Sequence, residues 1–212
     1  MKYMDSEQES PLSPLAVHIL TLLDERPMHP YEMAATMKQR HADEFIRLNF
    51  GTLYHTVDGL EKKGWITPME REKEGRRPER TVYELASAGR EVLQRTLSDL
   101  LRRPIREFPH FMAGLMFMHH LSAAEAADQL RDRASLLDSQ VAKWEHVLDE
   151  VSRQGLSRLS LIEMEYKIAM LEAERDWVRK VEREIADGGL EWKVGIDAGH
   201  EALRRSHGSS AN

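Results

Sequence analysis

With 212 residues, 41% of them hydrophobic, and a formal net charge of −6, the chain carries enough apolar material for one large domain or two small ones. It contains no cysteine, which excludes a disulfide framework, thiolate zinc sites and cysteine nucleophiles and fits a reducing cytoplasm. The longest apolar run, Leu15 to Leu23, falls well short of the roughly 20 residues that span a bilayer, and the opening MKYMDSEQES is too acidic and polar for a signal peptide, so the expectation is a soluble cytoplasmic protein with no membrane partner.

After a polar stretch over 1–11, expected to be a flexible tail, Leu15 to Asp24 repeats apolar residues at helical spacing until Arg26-Pro27 ends the run. Pro30 suits the first turn of a second helix, Tyr31 to about Arg40, with Met33, Ala34 and Met37 facing inward. A third helix is capped by Asn49 and stopped by Gly64; Phe50, Leu53, Val57 and Leu60 form its apolar face, while Thr52, His55, Gly59 and Lys63 point away. Trp65 to Met69 and Thr81 to Leu85 read as two strands joined by a hairpin with Gly75-Arg76-Arg77-Pro78 near its tip. Helix, helix, helix, strand, strand is the winged helix-turn-helix order. Such a shape suits duplex DNA: the polar face of the third helix enters the major groove and the wing arginines neutralise phosphate. A fourth helix, Ser87 to about Arg103, carries Val92, Leu93, Leu97, Leu100 and Leu101 as a broad stripe and is closed by Pro104.

The net negative charge does not contradict a nucleic-acid partner, because what matters is where charges sit. Up to Arg103, 16 Lys and Arg stand against 17 Asp and Glu; the remainder has 14 against 19. The acidity therefore belongs mostly to the second half. Over 70–80, five cations meet four glutamates, so the wing is a mixed charge cluster and not a basic stripe.

From about Phe108 onward the pattern is helical. Ser122-Ala123-Ala124-Glu125 is a capping box, and Leu130, Ala134, Leu137, Val141, Trp144, Leu148 and Val151 follow in alternating steps of four and three. Gly155 breaks the run. A second capping box, Ser160 to Glu163, opens another helix with Leu161, Met164, Ile168, Leu171 and Val178 on one face and Gly188-Gly189 at its end. A lone hairpin of two such helices is expected to leave both stripes uncovered, and a second copy of the chain is the economical cover. The expected fold class is mainly α, with an α+β winged helix-turn-helix domain over 12–103, an antiparallel helical dimerisation domain over 104–190, and flexible tails at 1–11 and 191–212. Its dimerisation residues are Leu130, Leu137, Val141, Trp144, Leu148, Leu161, Met164, Ile168 and Leu171.

Thr52-Leu53-Tyr54, Leu60-Glu61-Lys62-Lys63-Gly64-Trp65-Ile66, Gly75-Arg76-Arg77-Pro78, Tyr83-Glu84-Leu85 and Gly89-Arg90 together resemble the PadR family of transcriptional regulators, in its longer type with a C-terminal helical dimerisation domain. The resemblance covers about 15 to 103; beyond it the likeness is one of helical layout. It implies that the third helix inserts in the major groove, that Tyr54 and the wing arginines hold the backbone, and that the protein is a dimeric repressor. Three positions depart from the family pattern. Pro30 stands where glycine is usual before Tyr31, His55 where proline is frequent, and Ala86 where threonine commonly caps the fourth helix, with Ser87 able to take over that cap.

The candidate DNA-binding residues are Asn49, Thr52, Tyr54 and His55 at the front of the third helix, Lys62 and Lys63 near its end, and Arg76, Arg77 and Arg80 on the wing. The expected partners are a pseudo-palindromic operator, a second copy of the chain, and a small hydrophobic or aromatic effector wedged between the domains. Phe111, Met112, Met116 and Trp144 are the candidate effector pocket, against the plainer reading that they are core. His119-His120 with His110 nearby invites a metal, but adjacent helical residues diverge by about 100° and no carboxylate stands at ligand spacing, so neither metal nor cofactor is expected. No nucleophile elbow, phosphate loop, dinucleotide fingerprint or metalloprotease motif occurs, which argues against an enzyme. The remaining alternative is a winged-helix adaptor that binds protein and not DNA.

Overall fold

The computed structural model describes residues 12–69 and 81–192. Gly75, Arg76, Arg77, Pro78 and Arg80 lie outside the described residues, as do 1–11 and 193–212. The chain divides into two compact units, Met1–Arg106 and Glu107–Asn212, each built around its own core.

In the first unit, α1 (Pro14–Glu25), α2 (Pro30–Gln39) and α3 (Phe50–Lys62) precede β1 (Ile66–Pro68), β2 (Tyr83–Leu85) and α4 (Ser87–Arg102). Each of the first three helices starts on a side-chain cap: the Ser13 side chain accepts from the Ala16 amide, His29 Nδ1 from that of Tyr31, and Asn49 Oδ1 from that of Thr52 at 2.7 Å. A short 3-10 turn, Ala42–Glu44, joins α2 to α3. The core gathers Leu15, Ile19, Leu20 and Leu22 of α1, Met33 and Met37 of α2, Leu53, Val57 and Leu60 of α3, and Ile66 of β1. Burying each such aliphatic side chain contributes about 1.5–3 kcal/mol relative to exposure.

α3 stops in a Schellman motif. Gly64 adopts φ +68°, its amide donates to Glu61 O at 2.8 Å, and the Trp65 amide donates to Leu60 O at 3.0 Å. This closure aims the chain into β1, which pairs antiparallel with β2 in the register Ile66↔Leu85, Thr67↔Glu84, Pro68↔Tyr83. Pro68 is tolerated because Tyr83 turns its backbone groups the other way, exchanging two 3.0 Å hydrogen bonds with Met28. The α1–α2 connection thus adds a rung to the sheet that the apolar pattern did not foreshadow.

α4 begins where Trp65 O accepts from the Ala86 amide at 3.0 Å. Ala86 is its N-cap and makes no side-chain cap bond, so the expected takeover by Ser87 does not occur; Ser87 is already the first helical residue. Of the expected stripe, Leu93 is buried, while Leu97, Leu100 and Leu101 are exposed.

The second unit contains α5 (His110–Phe117), α6 (Ala123–Arg153) and α7 (Ile162–Ala186). The capping box at the head of α6 is complete: Ser122 accepts from the Glu125 amide, and the Glu125 carboxylate accepts from the Ser122 amide. The second box does not form. Ser160 lies in a 3-10 turn, its hydroxyl 3.0 Å from that of Ser157, and α7 starts at Ile162 with no side-chain cap.

The larger correction concerns the seam. α6 and α7 pack against each other and bury the two apolar stripes within one chain. Leu130, Ala134 and Leu137 cluster with Val178 and Ile185, while Trp144, Leu161 and Met164 form a second cluster flanked by Leu148, Val151, Ile168 and Leu171. The premise that a lone hairpin leaves these stripes uncovered fails, because an antiparallel pair turns each helix's seam toward the other. Ion pairs Arg131–Glu182, Arg133–Glu174 and Arg179–Asp138 cross the same interface. Its outer side differs. Ile162, Tyr166, Met170 and Trp177 lie exposed in a line on the face of α7 opposite Met164, Leu171 and Val178. Trp192 also falls outside the expected tail behaviour: its indole N–H donates to Leu121 O at 3.0 Å and its ring packs on the first cluster.

Candidate nucleic-acid interface

α3 presents three strips. Leu53, Val57 and Leu60 are buried at 0–3% exposure, and the opposite strip carries Gly51, His55, Asp58 and Lys62. Thr52 and Thr56 form one flank, tied by the Thr56 hydroxyl donating to Thr52 O at 2.7 Å. Phe50 and Tyr54 form the other. Gly51 and Gly59 leave the backbone bare on the outer side, and a methyl group placed on Gly59 would meet nothing within 4 Å. A groove edge can therefore approach the helix closely.

The candidate residues divide by what their side chains already do. Asn49, Thr52, Tyr54, His55, Lys62 and Lys63 are all exposed on this one helix or its caps. Asn49 Oδ1 is engaged in the cap, so that side chain positions the helix start and keeps only its amide nitrogen for a base edge or phosphate. Lys63 Nζ lies 4.5 Å from the centroid of the Trp65 ring, which steers its ammonium toward the strand side. His55 and Lys62 share the outermost strip.

α3 is fastened to the rest of the unit at its far end. The Tyr83 hydroxyl donates to Glu61 Oε2 at 3.2 Å, and burial, reinforced by the Glu61 carboxylate, pushes that hydroxyl above its ordinary pKa. The helix and strand β2 are thereby held in one body. Arg40 clamps Glu25 with two bonds of 2.6 and 2.7 Å, joining the ends of α1 and α2 and holding the Glu25 carboxyl below its usual range. Both partners are largely exposed, so the pair sets geometry more than stability.

Phe50 corrects the expectation for the apolar face. It is 48% exposed, and its ring stacks on that of Tyr31 with centroids 6.1 Å apart and planes 13° from parallel. Lys38 Nζ lies 5.7 Å from the same ring. Sequence spacing pointed inward because Phe50 precedes Leu53 by three, but the first residue of a helix has no preceding turn to pack under, and its wheel position is at the stripe's edge.

The four candidate effector residues do not converge. Phe111 is half-buried against the first cluster of the second unit, with the Arg133 guanidinium 3.7 Å from its ring centroid and Trp177 edge-on at 6.3 Å. Met112 and Met116 are exposed, and Trp144 is buried in the other cluster. Arg133 and Trp144 are separated by roughly 16 Å along α6. A groove of about 350 Å³ does open between α6 and α7, but it is lined by Arg131, Ala134, Ser135, Asp138, Arg179 and Glu182. The His119 and His120 rings lie with centroids 4.5 Å apart and planes tilted by 34°; among the described residues no group of three His, Asp or Glu converges as a metal site. No described helix is long and apolar enough to cross a membrane.

Three helices, a β-ribbon and a fourth helix in this arrangement define a winged helix-turn-helix protein. Residues 19–95 match the family model described as the transcriptional regulator PadR-like family. The solved structures extend the likeness into the second unit. Bacillus subtilis PadR in complex with operator DNA superposes with a TM-score of 0.65 at 19% identity, covering 81% of this chain and 98% of that one. The same Bacillus subtilis protein in complex with p-coumaric acid gives 0.64 at 17% identity, with 84% and 99% covered. The Vibrio cholerae virulence activator AphA gives 0.62 at 19% identity, with 82% and 98% covered. At these identities the likeness is one of fold. No curated protein matches the chain in sequence.

Proposed function

We propose that the chain is a sequence-specific, duplex-DNA-binding transcriptional regulator that acts in the cytoplasm as a homodimeric repressor released by a small hydrophobic or aromatic effector. The observation that carries this reading is the outer strip of α3: exposed His55 and Lys62 on a firmly capped helix whose glycines leave room for a groove, beside the strand that leads into an arginine-bearing wing. His55, Thr52 and the Asn49 amide read base edges; Tyr54, Lys62, Lys63, Arg76, Arg77 and Arg80 hold phosphates. Bacillus subtilis PadR, similar in fold, has been crystallised with operator DNA and with p-coumaric acid, which supports the partner and the effector class. Such a regulator needs no catalytic centre.

The dimer contact belongs on the outer face of α7, through Ile162, Tyr166, Met170 and Trp177, because the residues first expected there are spent inside the hairpin. Two-fold symmetry then calls for a pseudo-palindromic operator with half-sites about one helical turn apart or a multiple of it.

Selection from randomised duplexes, run in parallel on wild type and His55→Ala, tests the reading. Wild type should enrich a pseudo-palindrome. The variant should melt within about 0.5 kcal/mol of wild type, as an exposed substitution does, yet shift the enriched sequence or lower the ratio of specific to non-specific affinity. Identical enriched sequences and ratios would remove His55 from readout. No enrichment by wild type would sink sequence-specific binding.

A further inference from the structure

Four aromatic residues of the first unit are substantially exposed among those described: Tyr31, Phe45, Phe50 and Tyr54, at 61%, 39%, 48% and 42%. All four lie between the start of α2 and the second turn of α3. Apolar rings left in water tend to mark a binding surface when they cluster. Here two are also held in place, Tyr31 on Phe50 as a near-parallel stack across the two helices, with the Lys38 ammonium beside the Phe50 ring. Tyr54 follows Phe50 by one helical turn on the same flank. The patch is thus continuous with the strip of α3 proposed to enter the groove, and a cation stands at its margin.

We infer that Phe50, braced by Tyr31, reads a thymine in the major groove by apolar contact with the C5-methyl group, while Lys38 neutralises a nearby phosphate. This rests on the duplex-binding reading above and adds a specificity-determining residue to it. The chemistry is suited to the position. A phenylalanine at the first residue of a groove-entering helix offers no hydrogen bond, and the thymine methyl is the apolar group that the major groove presents. Stacking on Tyr31 restricts the rotamers of Phe50, so less side-chain entropy is lost on contact. Lys38 places its charge on α2, the helix that lies across the backbone when the following helix occupies the groove.

The test uses the full-length protein and the duplex it enriches from a random pool. Each thymine is replaced singly by uracil, which removes the methyl group and leaves base pairing intact. Wild type should lose about four-fold in affinity at one thymine per half-site, the worth of one methyl-sized apolar group. Phe50→Ala should bind thymine and uracil versions of that position alike, and Tyr31→Ala should narrow the difference. Lys38→Gln should reduce the slope of log affinity against log salt by about one unit per protomer, while keeping the uracil effect. Uniform wild-type affinity across the uracil series overturns the inference without any variant and leaves the patch as a protein-contact surface. Undiminished uracil sensitivity in Phe50→Ala also overturns it. Absence of any enriched duplex overturns the duplex-binding reading itself, and this assignment with it.

Discussion

Replacing Gly89 by alanine is expected to destabilise the first unit by about 3 kcal/mol or more, a large share of the roughly 5–15 kcal/mol that holds a typical domain folded. A methyl group there would sit 2.0 Å from Trp65 O and 2.9 Å from Trp65 C, with Leu85 Cδ1 at 2.8 Å. Two of those three atoms are backbone. They are fixed from both sides, by the Schellman closure of α3 and by the hydrogen bond from the Ala86 amide to the same carbonyl. Relief requires α4 to lift from β1, which would expose Leu93. Gly59→Ala is the matched control, since it enters open space inside a helix and should stabilise by up to about 1 kcal/mol. Chemical denaturation of the three proteins separates these outcomes; a Gly89→Ala midpoint equal to wild type would show that α4 does not approach β1 this closely.

Introducing Asp at both Tyr166 and Met170 should convert the proposed dimer into a monomer with its helices intact. The two side chains are 68% and 50% exposed within one chain, so the hairpin loses little. Between copies, two buried carboxylates facing their symmetry mates would be costly, and losing even one anchor of an interface raises the dissociation constant about 30-fold or more. Trp144→Ala makes the contrast. It removes a ring that is 4% exposed in the cluster with Leu161 and Met164 and should cost about 3–5 kcal/mol of stability, whether the protein is concentrated or dilute. Sedimentation and circular dichroism read both. A double-Asp variant that stays dimeric would place the contact elsewhere.

The pair of experiments also marks where sequence reasoning reached and where it stopped. Periodicity locates α1 to α4, α6 and α7, because each buries one strip and exposes another, whereas α5 has no buried residue and so no strip to mark it. Caps at Asn49 and Ser122 and stops at Gly64 and Gly155 were legible since those residues satisfy orphaned backbone groups by themselves. The Ser160 pattern does not become a capping box because the same four-residue pattern also suits a 3-10 turn, and the Ser157 hydroxyl competes for Ser160. The seam of α6 was correctly apolar, yet a stripe does not say what covers it; only the antiparallel placement of α7 shows that the cover is the same chain. The Met28 rung and the Tyr31–Phe50 stack are long-range pairings with no local signature.

The central claim is that this protein holds duplex DNA through α3 and the wing, and salt dependence tests it most directly. Binding of the enriched duplex should weaken steeply as salt rises, by roughly 10³-fold or more between 50 and 200 mM if six or more phosphates are neutralised per dimer. Alanine at both Arg76 and Arg77 should reduce the slope of log affinity against log salt by up to about two units per protomer. Affinity for duplex that stays flat across that range would contradict the account and favour a winged-helix adaptor that binds protein.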